Sequence, residues 1–142
     1  MRPDLSPEVT DAIRVRIPVG FGTVNPYLLT DDAPRLLRFL VEGLGGIEIL
    51  RHMDGPRVAN AQVRLGTSAV MVSQASPAVP AMPASLYLFV ADADASMKKA
   101  IEAGADMVMS VADMPYQDRQ GGVRDPCGNI WWISQRLVDG PY

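Results

Sequence analysis

The sequence predicts an α+β chain built from two tandem βαβββ modules. Three observations lead there. The chain resembles itself when residue 25 is set against residue 85. Within each copy the apolar period passes from two to about 3.6 and back to two. A stretch with three prolines (Pro77, Pro80 and Pro83 within Gln74–Ala84) separates the copies.

Asn25–Leu44 reads NPYLLTDDAPRLLRFLVEGL and Ser85–Gly104 reads SLYLFVADADASMKKAIEAG. Tyr27 meets Tyr87, Leu28 meets Leu88, Asp32 meets Asp92, Ala33 meets Ala93, and Glu42 meets Glu102. Arg38 meets Lys98 and Val41 meets Ile101, so the pattern agrees where identity does not.

Each copy opens with a strand, Tyr27–Thr30 or Leu86–Val90, rich in Leu, Tyr, Phe and Val. Asp32 with Pro34, and Asp92 or Asp94, suit a helix N-cap and first turn. A helical period follows: Leu36, Leu37, Leu40, Val41 and Leu44, then Met97, Ala100 and Ile101. Gly43, Gly45 and Gly46 end the first helix and Gly104 the second. Strands then return. In the first copy they are Ile47–Arg51, Val58–Leu65 and Ala69–Ser73; in the second, Met107–Met109, Gly121–Arg124 and Ile130–Ser134. Asp125-Pro126-Cys127-Gly128-Asn129 carries turn chemistry, with Pro at i+1 and Gly where φ must be positive. The modules are 23–75 and 84–136, joined by linker 76–83, within a domain spanning 23–136. Residues 1–22 form an N-terminal extension, in which Ile13, Val15 and Ile17 suggest one extra strand before Pro18. Residues 137–142 read as a surface tail, poorly ordered or docked on a neighbouring subunit.

Composition excludes several function classes. A formal net charge of −3 with no Lys/Arg run leaves no basic face for nucleic acid or an anionic membrane. The single cysteine rules out an internal disulfide. No apolar stretch approaches the roughly 20 residues of a membrane span. Met1–Thr10 carries two prolines and two acids and no apolar run, so no signal peptide is expected. A cytoplasmic location is the expectation.

Strand alternation selects candidate site residues. Asn25, Tyr27 and Leu29 share one face, and Leu28 and Thr30 the other. Ser85, Tyr87 and Phe89 oppose Leu86 and Leu88. Trp132 opposes Trp131 and Ile133, and Gln62 lies on the polar face of Val58–Leu65. The aliphatic faces suit helix packing; the faces with Tyr, Phe, Trp, Ser and Asn suit a mostly apolar ligand cleft. His52, the only histidine, stands in a polar stretch with no nucleophile beside it and reads as a surface residue. Cys127 reads as an exposed free thiol. No glycine-rich phosphate loop or triad spacing is present.

The βαβββ pair resembles the vicinal oxygen chelate superfamily of glyoxalase I, bleomycin-resistance proteins and extradiol dioxygenases. Residues 113–132, DMPYQDRQGGVRDPCGNIWW, are similar to the W/Y-G-D-R-x-G-x-V-x-D-P-x-G-H/N-x-W signature of its PhnB-like branch. Tyr116, Asp118 and Arg119 fall within it. Asp118 and Arg119 read as a loop-fixing ion pair, or else as a reader of a ligand anion. The resemblance implies curved sheets around a cleft, with helices on the convex side. It also implies four metal-ligand positions, which fall on Asn25, Met71, Ser85 and Trp132. None of these suits Zn²⁺, Fe²⁺ or Ni²⁺. The expectation is therefore a metal-free, cofactor-free homodimer. It would bind an apolar or aromatic small molecule through Asn25, Tyr27, Gln62, Met71, Ser85, Tyr87, Tyr116 and Trp132. The alternative is a glyoxalase-type lyase, isomerase or dioxygenase with a non-standard site using His52 and Asp54, or acid–base chemistry without metal.

Overall fold

The computed structural model describes residues 15–142. Its order is β1 (Tyr27–Thr30), α1 (Ala33–Glu42), β2 (Ile47–Asp54), β3 (Arg57–Leu65), β4 (Ser68–Gln74), β5 (Ser85–Phe89), α2 (Ala93–Glu102), β6 (Asp106–Asp113), β7 (Asp118–Arg124) and β8 (Ile130–Arg136). Two four-stranded sheets result, ordered β1-β4-β3-β2 and β5-β8-β7-β6. In each, the first strand pairs parallel to the last, and the other pairings are antiparallel. Each module is thus strand–helix–three strands, as expected, and the sheets curve without closing.

Local chemistry starts both helices in the same way. Asp32 Oδ1 accepts from the Arg35 N–H at 3.2 Å, and Asp92 Oδ1 from the Ala95 N–H at 3.1 Å. A second cap comes from the end of each sheet. Gln74 Oε1 accepts from the Ala33 N–H at 2.9 Å, and Gln135 Oε1 from the Ala93 N–H at 3.0 Å. Helix α1 buries Leu36, Leu37, Phe39 and Leu40 against its sheet. It ends at Glu42 with Gly43 as its C-cap, and at Gly46 the chain passes so near β3 that an added Cβ would lie 2.6 Å from Val63 Cγ1. Helix α2 buries Met97 and Ala100; Ile101, expected on that face, is exposed.

One apolar core runs through both modules, from Leu28, Leu40, Val63 and Val72 to Met97, Val123, Trp131 and Ile133. The Asp125–Asn129 turn forms as expected, with Gly128 at φ +93°. Asp125, almost wholly buried, organises it. One carboxylate oxygen accepts from the N–H groups of Cys127 and Asn129. The other accepts from the Asn129 amide and, at 2.9 Å, from the Trp131 indole.

Two sequence expectations fail here. Ile13 and Arg14 lie outside the described residues, and Val15–Ile17 form no strand. Pro18 has no N–H to pair, and its carbonyl closes a turn with the Phe21 N–H at 3.1 Å, which takes the chain off a straight path. Cys127 is half-buried rather than exposed, and burial pushes its thiol pKa up.

Candidate functional site

Register places the candidate residues in two equivalent rows. Tyr27, Met71, Gln62 and Leu50 are successive partners across the first sheet. Tyr87, Trp132, Gly122 and Met109 are successive partners across the second. Cross-strand partners share a face. The neighbours on the opposite face, Leu28, Val72, Trp131 and Ile133, belong to the core beneath the helices. Both rows therefore lie on the sheet faces turned away from α1 and α2.

On the first sheet, Ser73 Oγ donates to the Ala59 carbonyl at 2.7 Å, so the Tyr27 hydroxyl is the donor in its 2.6 Å bond to Ser73. Asn25 turns both polar atoms onto Gly22, donating to its carbonyl at 2.7 Å and accepting from its N–H at 2.8 Å. Asn25, Gln62 and Met71 join Arg16, Ile17 and Phe21 around a depression of about 410 Å³. The chain before β1 thus lies over this face.

On the second sheet, the Trp132 indole N–H donates to Ser85 Oγ at 3.0 Å. The ring covers Gly122 so closely that a Cβ there would lie 2.8 Å from Trp132 Cζ3. Tyr87, Phe89, Tyr116 and Tyr142 wall a second depression, also about 410 Å³ and aromatic on every side. Tyr87 and Phe89 have ring centroids 5.1 Å apart, and Tyr116 meets Tyr142 edge-on at 6.3 Å. The Tyr116 hydroxyl donates to Gln120 Oε1, whose amide donates to Ser134 Oγ at 2.6 Å.

Beneath this depression sits Asp118, with no solvent exposure. Its Oδ2 accepts from the hydroxyls of Tyr87 and Tyr142, each at 2.5 Å. Its Oδ1 accepts from Arg136 Nη1 at 3.0 Å. Desolvation pushes this carboxyl up, but the bonds from Tyr142, Tyr87 and Arg136 outweigh it and hold it below the usual carboxylate range. The same bond to Asp118 pushes the Tyr142 phenol well above its ordinary value, and burial adds to this. The Tyr116 phenol is also raised, chiefly by desolvation. The Arg136 guanidinium lies 4.3 Å from the Tyr142 ring centroid, a cation–π contact.

The profile of the Glyoxalase/Bleomycin resistance protein/Dioxygenase superfamily matches residues 20–133. The chain belongs to this superfamily. A Mycobacterium bovis relative, the uncharacterized protein Mb0911c, is 30% identical over 125 residues, covering 79% of this chain and 82% of its own. Among solved structures, TioX from Micromonospora sp. ML1 superposes with a TM-score of 0.68 at 27% identity, over 81% of this chain and 99% of TioX. TnmS3 from Streptomyces sp. CB03234, described as an antibiotic binding protein, has a TM-score of 0.63 at 21% identity, over 80% and 96% of the two chains.

Within this superfamily scaffold the eight candidate residues fall into two groups, one in each module, instead of lining one space. Tyr27, Gln62 and Met71 stand on the first sheet with Asn25 just before β1, and Ser85, Tyr87 and Trp132 stand on the second with Tyr116 in the turn between β6 and β7. Asp118 and Arg119 do not pair with each other. Adjacent strand residues point to opposite faces, so Arg119 reaches Asp94 at 2.7 Å and Asp113 at 3.0 Å while Asp118 turns inward. The tail is not loose: Arg136 Nη2 donates to the Pro141 carbonyl at 3.0 Å, and Tyr142 reaches Asp118. His52 and Asp54 stand exposed on the edge strand β2, away from the residues that line either depression. Sequence reasoning missed the joining of Asp118, Arg136 and Tyr142. The one available signal was chemical: an Asp and a Tyr within the signature, an Arg at the end of the following strand, and a Tyr in the tail.

Proposed function

We propose that this superfamily member is a metal-free binding protein for a flat, apolar or aromatic small molecule. The observation that carries the reading is the state of the four positions to which the resemblance assigns metal ligands. Asn25 spends both polar atoms on Gly22, and Ser85 takes its hydrogen bond from the Trp132 indole. Met71 offers only a thioether, and Trp132 offers no lone pair. An amide, a thioether, a hydroxyl and an indole do not fit a divalent, oxygen-activating metal. Among the described residues no three His, Cys, Asp or Glu side chains gather into an alternative set.

What the two rows offer instead is contact area. Tyr87, Phe89, Tyr116 and Trp132 present rigid aromatic surface, and Tyr27, Gln62, Asn25 and Ser85 add a few polar groups. TnmS3, built on the same fold, is described as an antibiotic binding protein. The residues at 113–132 favour the PhnB-like branch. The reading includes a two-fold dimer, supported by exposed Ile47, Ile49 and Met53 on β2 and Met107 and Val108 on β6. Edge strands of this kind are usually covered in isologous pairs. No helix among the described residues is long and apolar enough to cross a membrane; a cytoplasmic location belongs to the same proposal.

The test pairs elemental analysis with a thermal-shift screen of planar aromatic compounds, each hit checked by tryptophan fluorescence. The expected result is no stoichiometric metal, and hits that raise the melting temperature and perturb Trp132 emission. One zinc, iron or nickel per chain that survives dialysis would overturn the reading.

A further inference from the structure

We propose that Asp118, Arg136 and Tyr116 form a subsite for a neutral phenol, filled in the free protein by the side chain of Tyr142. This rests on the ligand-binding reading above and names a chemical class for it. A phenol ring is already held there by three distinct contacts. Its hydroxyl donates to Asp118 Oδ2 at 2.5 Å, its face lies under the Arg136 guanidinium, and its edge meets Tyr116. The ring also forms one wall of the aromatic depression, so its departure opens that depression onto Asp118.

Two facts mark Tyr142 as a replaceable occupant. Its side chain belongs to a residue 70% exposed, so little apolar burial holds it. The segment behind it is tied chiefly by main-chain carbonyls of Gly140 and Pro141 accepting from Arg136 Nη2, at 3.5 and 3.0 Å. Asp118, by contrast, is unexposed and has Tyr87 and Arg136 as further partners besides Tyr142. A buried carboxylate that loses one donor requires another. Arg136 neutralises its charge, so the replacement is an uncharged O–H donor on a flat ring; a carboxylate ligand would meet Asp118 as a like charge. A tethered phenol competes with a free one, and its removal raises the fraction of competent sites.

The probe is 4-methylphenol, the tyrosine side chain as a free molecule, with 4-methylanisole as a control of similar shape that lacks the donor. Both are titrated by NMR into the full chain and into Tyr142→Ala. The expected result is 4-methylphenol binding to Tyr142→Ala at least about tenfold tighter than to the unmodified chain, which corresponds to a subsite filled by Tyr142 about nine-tenths of the time. The anisole shows no such gain. Tyr142→Phe, which keeps the ring and loses the hydroxyl, gives a smaller gain and serves if the alanine variant folds poorly. Equal affinity of 4-methylphenol for all three chains, or an anisole gain matching the phenol's, overturns the proposal. If it is overturned while the screened aromatics still perturb Trp132, the subsite falls and the binding reading stands. If those compounds also fail, both fall.

Discussion

Trp131 and Trp132 are adjacent in sequence and opposite in role, which makes them the sharpest probe of the strand register. Trp131 is 2% exposed, sits in the shared core, and donates its indole N–H to the buried Asp125 carboxylate at 2.9 Å. Trp131→Ala removes the ring and leaves a cavity, at a cost of about 3–5 kcal/mol. It also takes a donor from a buried carboxylate, adding about 1–3 kcal/mol. The total is a large share of the roughly 5–15 kcal/mol that holds a domain folded. Trp132 is half-buried on the open face, and its removal exposes sheet surface to solvent instead of opening a closed cavity. Trp132→Ala is expected to cost only about 1–2 kcal/mol. In a chain of this length each kcal/mol moves the melting temperature by roughly 2–5 °C. Urea unfolding followed by circular dichroism separates the two variants, and Trp131→Phe isolates the share of the indole N–H. Equal losses in the two alanine variants, or a larger loss in Trp132→Ala, would refute the register and the assignment of faces together.

Gly122→Ala is expected to displace the Trp132 ring, because the new Cβ would fall 2.8 Å from Cζ3; a shift in tryptophan emission with modest loss of stability checks it. Asp118 has a folded-state pKa below its unfolded value, so its stabilising effect is present above about pH 4 and fades as pH falls through the depressed value. The stability gap between the unmodified chain and Asp118→Asn, measured by urea unfolding, should therefore narrow in acid. Tyr142 is shifted the other way: its contribution is present below about pH 10 and is lost as pH rises through the elevated value. Ultraviolet titration should show late tyrosinates, the latest of which disappears in Tyr142→Phe. Light scattering at micromolar concentration should give a mass near twice 15.4 kDa; a monomer would count against the proposed dimer.

The sequence by itself determined the parts of the molecule that depend on near neighbours. Both helices begin at Asp32 and Asp92 because an N-cap needs only a side chain three residues from its partner N–H. Trp131 faces the core and Trp132 the open side because strand alternation has a period of two and is legible in IWWIS. The Asp125–Asn129 turn was legible because its bonds close within six residues. Strand ends were read short, β6 most of all, because edge residues such as Ser110 and Asp113 are exposed and carry no apolar period.

Tertiary structure alone decided what the polar groups do. Asp118 gathers Tyr87 from β5, Arg136 from β8 and Tyr142 from beyond it, residues separated by 31, 18 and 24 positions. No local period encodes such a meeting; it follows from β8 lying between β5 and β7 in the sheet. Arg119 beside it in the chain takes other partners, since the next residue of a strand faces the other way. The division of the eight candidate residues between the two modules has the same origin. Alternation assigns each residue to a face, but only the folding of the two sheets fixes which faces meet, and what lies over them.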